Sequence, residues 1–188
     1  MSQNDDIKII GSILEGNTAN YSVLVDRYKD MVFSLILKVI RNREEAEEAA
    51  QDTFLKAFHA LPGFKYEARF STWLFRIAYN TAVSRTRKKS IITQAIDERM
   101  VENYSTDEVR ENAGLMDEQQ RIELMNAALK TLQKDEQMLI NLFYQHQQSV
   151  EEIGMITGLS VSNVKVKLHR IRKKLYAAMA ERMQLKFA

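Results

Sequence analysis

The sequence predicts an all-α protein of two small helical domains joined by an acidic linker, the second domain containing a helix-turn-helix. Three observations predict it. One proline, Pro62, and six glycines punctuate 188 residues, and so few breakers favour helix. Apolar residues recur at helical spacing along most of the chain. Charge is sorted although the net is only +2: Lys and Arg crowd 84–89 and the C-terminal segment, whereas Asp97, Glu98, Glu102, Asp107, Glu108, Glu111, Asp117 and Glu118 dominate 97–118. Such sorting suggests modules with different electrostatic tasks.

The elements follow in order. A short apolar-periodic segment at 6–14 stops at "EGN". A longer helix runs from about Thr18 to Ile40, with Leu24, Tyr28, Met31, Leu35 and Val39 at helical spacing. A third places Ala46, Ala50, Thr53, Ala57 and Leu61 on one face and Glu44, Glu48, Gln51, Asp52, Leu55 and His59 on the other. "LPGFKYEAR" breaks the pattern, and a fourth helix is expected after a Ser71-Thr72 cap. Periodicity is lost at 90–116, read as a linker. Four further helices are expected at about 117–131, 134–146, 150–157 and 160–183. The domains are thus 1–90, a linker at 91–116, and 117–188.

Composition narrows the function classes. With 45% hydrophobic and 28% charged residues, and no apolar run of membrane-spanning length, a soluble protein is expected. The start "MSQNDDIKII" is unlike a secretory signal. The absence of cysteine fits a reducing compartment, so cytoplasmic residence is expected, and it excludes disulfides and thiol chemistry. His59, His146 and His169 fall on separate segments without metal spacing. No Ser-His-Asp set or glycine-rich phosphate loop occurs. Neither catalysis nor a cofactor nor a metal is expected.

Two stretches point to nucleic acid. In "GLSVSNVKVKLHRIRKKL" (158–175), Val161, Val164, Leu168, Ile171 and Leu175 form a core stripe. Ser162, Val166, His169, Arg170 and Lys173 point the opposite way, flanked by Lys165 and Arg172 on one edge and Lys167 and Lys174 on the other. Upstream, "VEEIGMITGLS" supplies a short helix with Gly154 where a close crossing fits, a break at Gly158 and a Ser160 cap. This is the helix-turn-helix pattern. Lys and Arg neutralise phosphates, while Arg, Asn163 and Ser162 near the helix start reach base edges. A lone basic face is usually only solvated, but the glycine turn at this spacing reverses the balance. Membrane binding would need bulky residues to immerse, and this narrow stripe is already required by the core.

The second stretch, "FKYEARFSTWLFRIAYNTAVSRTRKK" (64–89), mixes Phe64, Tyr66, Phe70, Trp73, Phe75 and Tyr79 with Lys65, Arg69, Arg76, Arg85 and further cations. Rings beside cations suit unpaired nucleic acid, because bases stack on rings while cations track the backbone. Trp73, Leu74 and Ile77 lie at core spacing, and Trp73 is read mainly as packing. Phe64, Lys65 and Tyr66, after Pro62-Gly63, are the better contact candidates, and Asn80 could hydrogen-bond a base.

"EEAAQDTFLKAFHAL", "FKYEARFSTWLFRIAYNTAVSR" and "EEIGMITGLSVSNVKVKLHRIRKKL", in that order and spacing, resemble the extracytoplasmic-function (ECF) group of sigma-70-type bacterial RNA polymerase sigma factors. The likeness spans about 10–178 and leaves only the linker unmatched. It implies that the segment matching Glu47, Glu48, Gln51, Asp52 and Leu55 docks on the coiled coil of the polymerase β′ subunit. This agrees with the wheel, which strands Leu55 among polar groups. It implies that the segment from Phe64 to Asn80, with Arg85 beyond it, captures the melted −10 promoter element around a flipped base, whose unstacking costs a few kcal/mol. It implies that Ser162, Asn163, Lys165, Val166, Lys167, His169, Arg170 and Lys173 read the −35 element as duplex.

Further partners implied are the β subunit and an anti-sigma protein, often membrane-anchored. The acidic linker would thread a positively lined channel in the polymerase. Two positions depart from the pattern: Gln133 stands where proline is usual, and Val166 where a small polar residue is frequent, so the −35 sequence does not carry over. The rival readings are a stand-alone helix-turn-helix repressor or activator, which leaves "QDTFLKAF" unexplained, and a helical adaptor without a DNA role.

Overall fold

The computed structural model describes residues 3–89 and 116–187, and the predicted linker lies outside them except for Met116. Every described element is helical. The first half holds α1 (Gln3–Leu14), α2 (Tyr21–Ile40), α3 (Arg43–Ala60) and α4 (Phe70–Lys89); the second holds α5 (Glu118–Leu129), α6 (Lys134–Ile140), α7 (Val150–Thr157) and α8 (Val161–Phe187). No described helix is long and apolar enough to cross a membrane.

Local chemistry sets the boundaries. Arg41 ends α2 in a left-handed conformation at φ 60°. Asn42 then caps α3 by accepting the Glu45 N–H at 2.9 Å, satisfying one of the donors a helix start leaves open. Reciprocal capping boxes start α5 at Asp117 and Gln120, and α7 at Ser149 and Glu152. Gly158 closes α7 at φ 77°, a conformation glycine adopts without a Cβ penalty.

α2 is the central helix, packing on α3 and α4 on one side and α6 on another. Its Leu24, Val32, Leu35 and Ile36 are wholly buried, each contributing about 1.5–3 kcal/mol of transfer free energy. α3 approaches closely because its inner face is small: Ala46, Ala49, Thr53 and Ala57 are buried, and the Thr53 hydroxyl donates to the Ala49 carbonyl at 2.7 Å. α1 is tethered by buried Asp6, which accepts from Arg27 and from the Tyr28 hydroxyl.

One apolar core runs from Ile10 through α2 and α4 to Ile171, so the two halves share it. A second, smaller cluster joins Met116, Leu124 and Ala128 to Met179, Ala180 and Met183, packing α5 on the C-terminal half of α8. The fourth helix is a correction to the sequence reading. It begins at Phe70, so Ser71 and Thr72 lie inside it rather than capping it. Thr72 finds partners across the shared core instead, in Gln148 and Glu152.

Candidate nucleic-acid and polymerase interfaces

Three faces carry the predicted residues. On α3 the inner alanines dictate what points outward, because helical periodicity puts Glu47, Gln51 and Leu55 opposite them. All three are exposed, and Leu55 keeps 60% of its surface open, the most of any large hydrophobic residue described. Glu47 pairs with Arg43 at 2.9 Å. Glu48 and Asp52 both reach Arg85 of α4, Glu48 at 3.2 Å. Arg85, expected among the −10 contacts, is therefore held by two carboxylates of the predicted polymerase face, and the two predicted sites meet at this residue.

The second face is the loop between α3 and α4. Pro62 lies in a single 3₁₀ turn, Leu61–Gly63, and Tyr66 turns the chain back at φ 60°, an uncommon conformation for a bulky residue. Phe64 is a correction. At 7% exposure it is buried, packing on Tyr66, Phe70 and Trp73 with ring centroids 4.8, 5.9 and 5.2 Å away. A large aromatic ring after a tight turn gains more from this cluster than from solvent. Phe64 supports the loop, while Lys65, Tyr66, Arg69, Arg76 and Asn80 stay exposed. Half-buried Trp73, read as packing, also lines a cavity of about 200 Å³ with Phe64, Lys65, Arg76 and Met155.

The third face is on α8. Val164, Leu168 and Ile171 are buried, while Ser162, Asn163, Lys165, Val166, His169, Arg170 and Lys173 are exposed. The Ser160 hydroxyl caps the helix by accepting the Asn163 N–H at 3.3 Å. The predicted cationic face is narrower than the wheel suggested. Lys167 lies 3.6 Å from Asp135, Lys174 pairs with Glu136, and Arg172 donates to the Tyr144 hydroxyl at 2.9 Å. Lys167 and Lys174 sit at the edge facing α6, and Arg172, at the other edge, reaches Tyr144 of the turn Asn141–Gln145 that follows α6. Gly154 is where the turn comes closest: a Cβ there would lie 2.9 Å from the Leu159 carbonyl oxygen.

The sequence reading missed a contact between the halves. Both Arg69 guanidinium nitrogens nearest Glu152 donate to its two carboxylate oxygens, and the Thr72 hydroxyl lies 3.0 Å from Glu152 and 3.2 Å from Gln148. Burial alone would raise the Glu152 pKa, but Arg69, the Ser149 N–H and the Thr72 hydroxyl outweigh it and hold the carboxyl below its usual range. His146 packs on Phe75 with ring centroids 5.0 Å apart. Its Nε2 is buried without a hydrogen-bond partner, and burial lowers its pKa.

The chain matches Sigma-70 region 2 over residues 24–91 and Sigma-70, region 4 over 122–175. It is 31% identical to the ECF RNA polymerase sigma factor SigW of Bacillus subtilis (strain 168), across 89% of this chain and 93% of that one. The chain belongs to the ECF family of RNA polymerase sigma factors. It is 27% identical to the RNA polymerase sigma-H factor of Pseudomonas aeruginosa, across 95% of this chain and 96% of that one. Among solved structures, CnrH in complex with the cytosolic domain of CnrY superposes with TM-score 0.64 at 23% identity, over 92% of this chain and 96% of that one. The sigma factor RpoE of Bartonella quintana, in complex with the anti-sigma factor NepR, gives 0.60 at 19%, over 86% and 97%. Both share the helical fold.

This sigma factor is thus a transcription initiation factor and not an enzyme. Its region-2 match contains the α3 face and the aromatic loop, and its region-4 match contains the helix-turn-helix.

Proposed function

We propose that this sigma factor docks on core polymerase through Glu47, Glu48, Gln51, Asp52 and Leu55, holds the melted −10 strand against the loop and α4, and reads −35 duplex with α8. The observation that carries the reading is the division of labour on α8. Val164, Leu168 and Ile171 satisfy the core, leaving Ser162, Asn163, His169, Arg170 and Lys173 in solvent beyond the Gly158 turn. These exposed side chains are of the base-reading and phosphate-neutralising kinds. On the −10 face, Lys65, Tyr66, Arg76 and Asn80 supply the cations, ring and amide that an unpaired strand takes.

The protein acts in the cytoplasm, where core polymerase and promoter DNA are. An anti-sigma partner belongs to the proposal, since RpoE of B. quintana is described in complex with NepR. A stand-alone repressor would have no use for an exposed leucine among carboxylates on α3.

Run-off transcription from a genomic promoter library, with bacterial core polymerase and with or without this chain, tests the reading. New transcripts sharing two spaced upstream elements are expected. No new transcript, with tight binding to a palindromic duplex in the absence of polymerase, would overturn it.

A further inference from the structure

We propose that Arg85 is a positioning residue of the polymerase-docking face and not a −10 contact: reaching from α4 to α3, it fixes Glu48 and Asp52 in the arrangement that core polymerase meets. The inference rests on the reading of that α3 face as the docking site.

Helical geometry separates Arg85 from the −10 face. Nine residues beyond Arg76, it lies about 13 Å further along α4 and about half a turn round it. Arg76 lines the aromatic cavity with Lys65 and Trp73. Arg85 instead continues the row of Ala78, Thr81 and Ala82, all buried, on the side of α4 that packs on α3. Thr81 marks that side, since its hydroxyl accepts from Lys56 Nζ of α3 at 3.3 Å.

The arginine is the inner partner of the group. Nη1 donates to Glu48 Oε2 at 3.2 Å and to the Glu45 carbonyl at 3.5 Å, and Nη2 donates to Asp52 Oδ2. Its side chain is 31% exposed against 71% for Glu48 and 43% for Asp52, so a partner approaching this face meets carboxylates first. Glu48 and Asp52 stand four residues apart on one helix, where like charges repel. A guanidinium offers each of them its own N–H group from a rigid fork, which a lysine ammonium on a flexible stem does not. Carboxylates ordered in advance spare core polymerase the entropy of fixing them on docking, and a DNA phosphate would have to displace both to reach the guanidinium.

Arg85→Gln tests the assignment, beside the pair Glu48→Gln/Asp52→Asn and the three changes together. In a fluorescence titration of the full chain with bacterial core polymerase, Arg85→Gln should lose about two- to tenfold in affinity, the scale of ordering one long side chain. Added to the carboxylate pair it should cost nothing further, because it acts only through those two groups. Arg85→Lys should recover part of the loss. With core polymerase saturating, affinity for a single-stranded −10 oligonucleotide should be unchanged in Arg85→Gln. Unchanged or tighter core binding by Arg85→Gln, weaker oligonucleotide binding by that variant, or a further loss when it is added to the carboxylate pair would each overturn the assignment. Failure of the docking reading is distinct, and appears as core binding by Glu48→Gln/Asp52→Asn as tight as that of the wild-type chain.

Discussion

Leu55→Ala is the substitution that best separates docking from folding. Leu55 lies on the outer face of α3 with 60% of its surface open, while Thr53 and Ala57 on the inner face are buried. Complete burial of a leucine side chain is worth about 1.5–3 kcal/mol, so covering the open part contributes about 1–2 kcal/mol to docking, or roughly five- to thirtyfold in affinity. The folded chain loses little, because alanine is at least as good a helix former and exposed substitutions usually stay within about 0.5 kcal/mol. At this chain length that corresponds to about 2 °C or less in Tm. The assay is a fluorescence titration of labelled protein with bacterial core polymerase, beside a thermal melt. Core affinity should fall by about that factor and further with Gln51→Ala added, at nearly constant Tm. A fall of several degrees in Tm would show that the face is structural, and unchanged affinity would remove Leu55 from the interface.

Gly154→Ala sets a methyl group 2.9 Å from a backbone oxygen in the helix-turn-helix. Overpacking costs about 1–3 kcal/mol against about 1 kcal/mol gained in helix propensity, and a backbone atom yields poorly. Lower Tm and weaker −35 duplex binding are expected, and a raised Tm would show that the turn accommodates the methyl. Burial holds the His146 pKa below 6.5, so the folded chain binds fewer protons there than the unfolded one. That stability is fully present above about pH 6.5 and declines as pH falls below it, with Glu152 acting in the same direction below 4.5. Thermal melts should give a lower Tm at about pH 5.5 than at 7.5, a difference that shrinks in His146→Gln; an equal difference in that variant would discount the imidazole. Arg170→Ala should weaken −35 duplex binding while sparing core affinity, and unchanged duplex affinity would take Arg170 out of that surface.

The sequence by itself determined which segments are helical and where the helix-turn-helix lies, because spacing, caps and the Gly158 turn act within a few residues of one another. It also determined that Leu55 faces outward, since the alanines and Thr53 leave α3 only one side to bury. The tertiary structure alone decided whether Phe64 touches solvent or the rings of Tyr66, Phe70 and Trp73. It decided that Arg85 meets Glu48 and Asp52, and that Lys167 and Lys174 turn to Asp135 and Glu136. Glu152 shows the limit most plainly. Its position three residues after Ser149 identifies it as a capping residue, while its second partner, Arg69, is 83 residues away in the chain. Periodicity reports the side of a helix on which a side chain lies. Which oppositely charged group waits there depends on how helices pack, and a long charged side chain takes whichever partner that packing brings within reach.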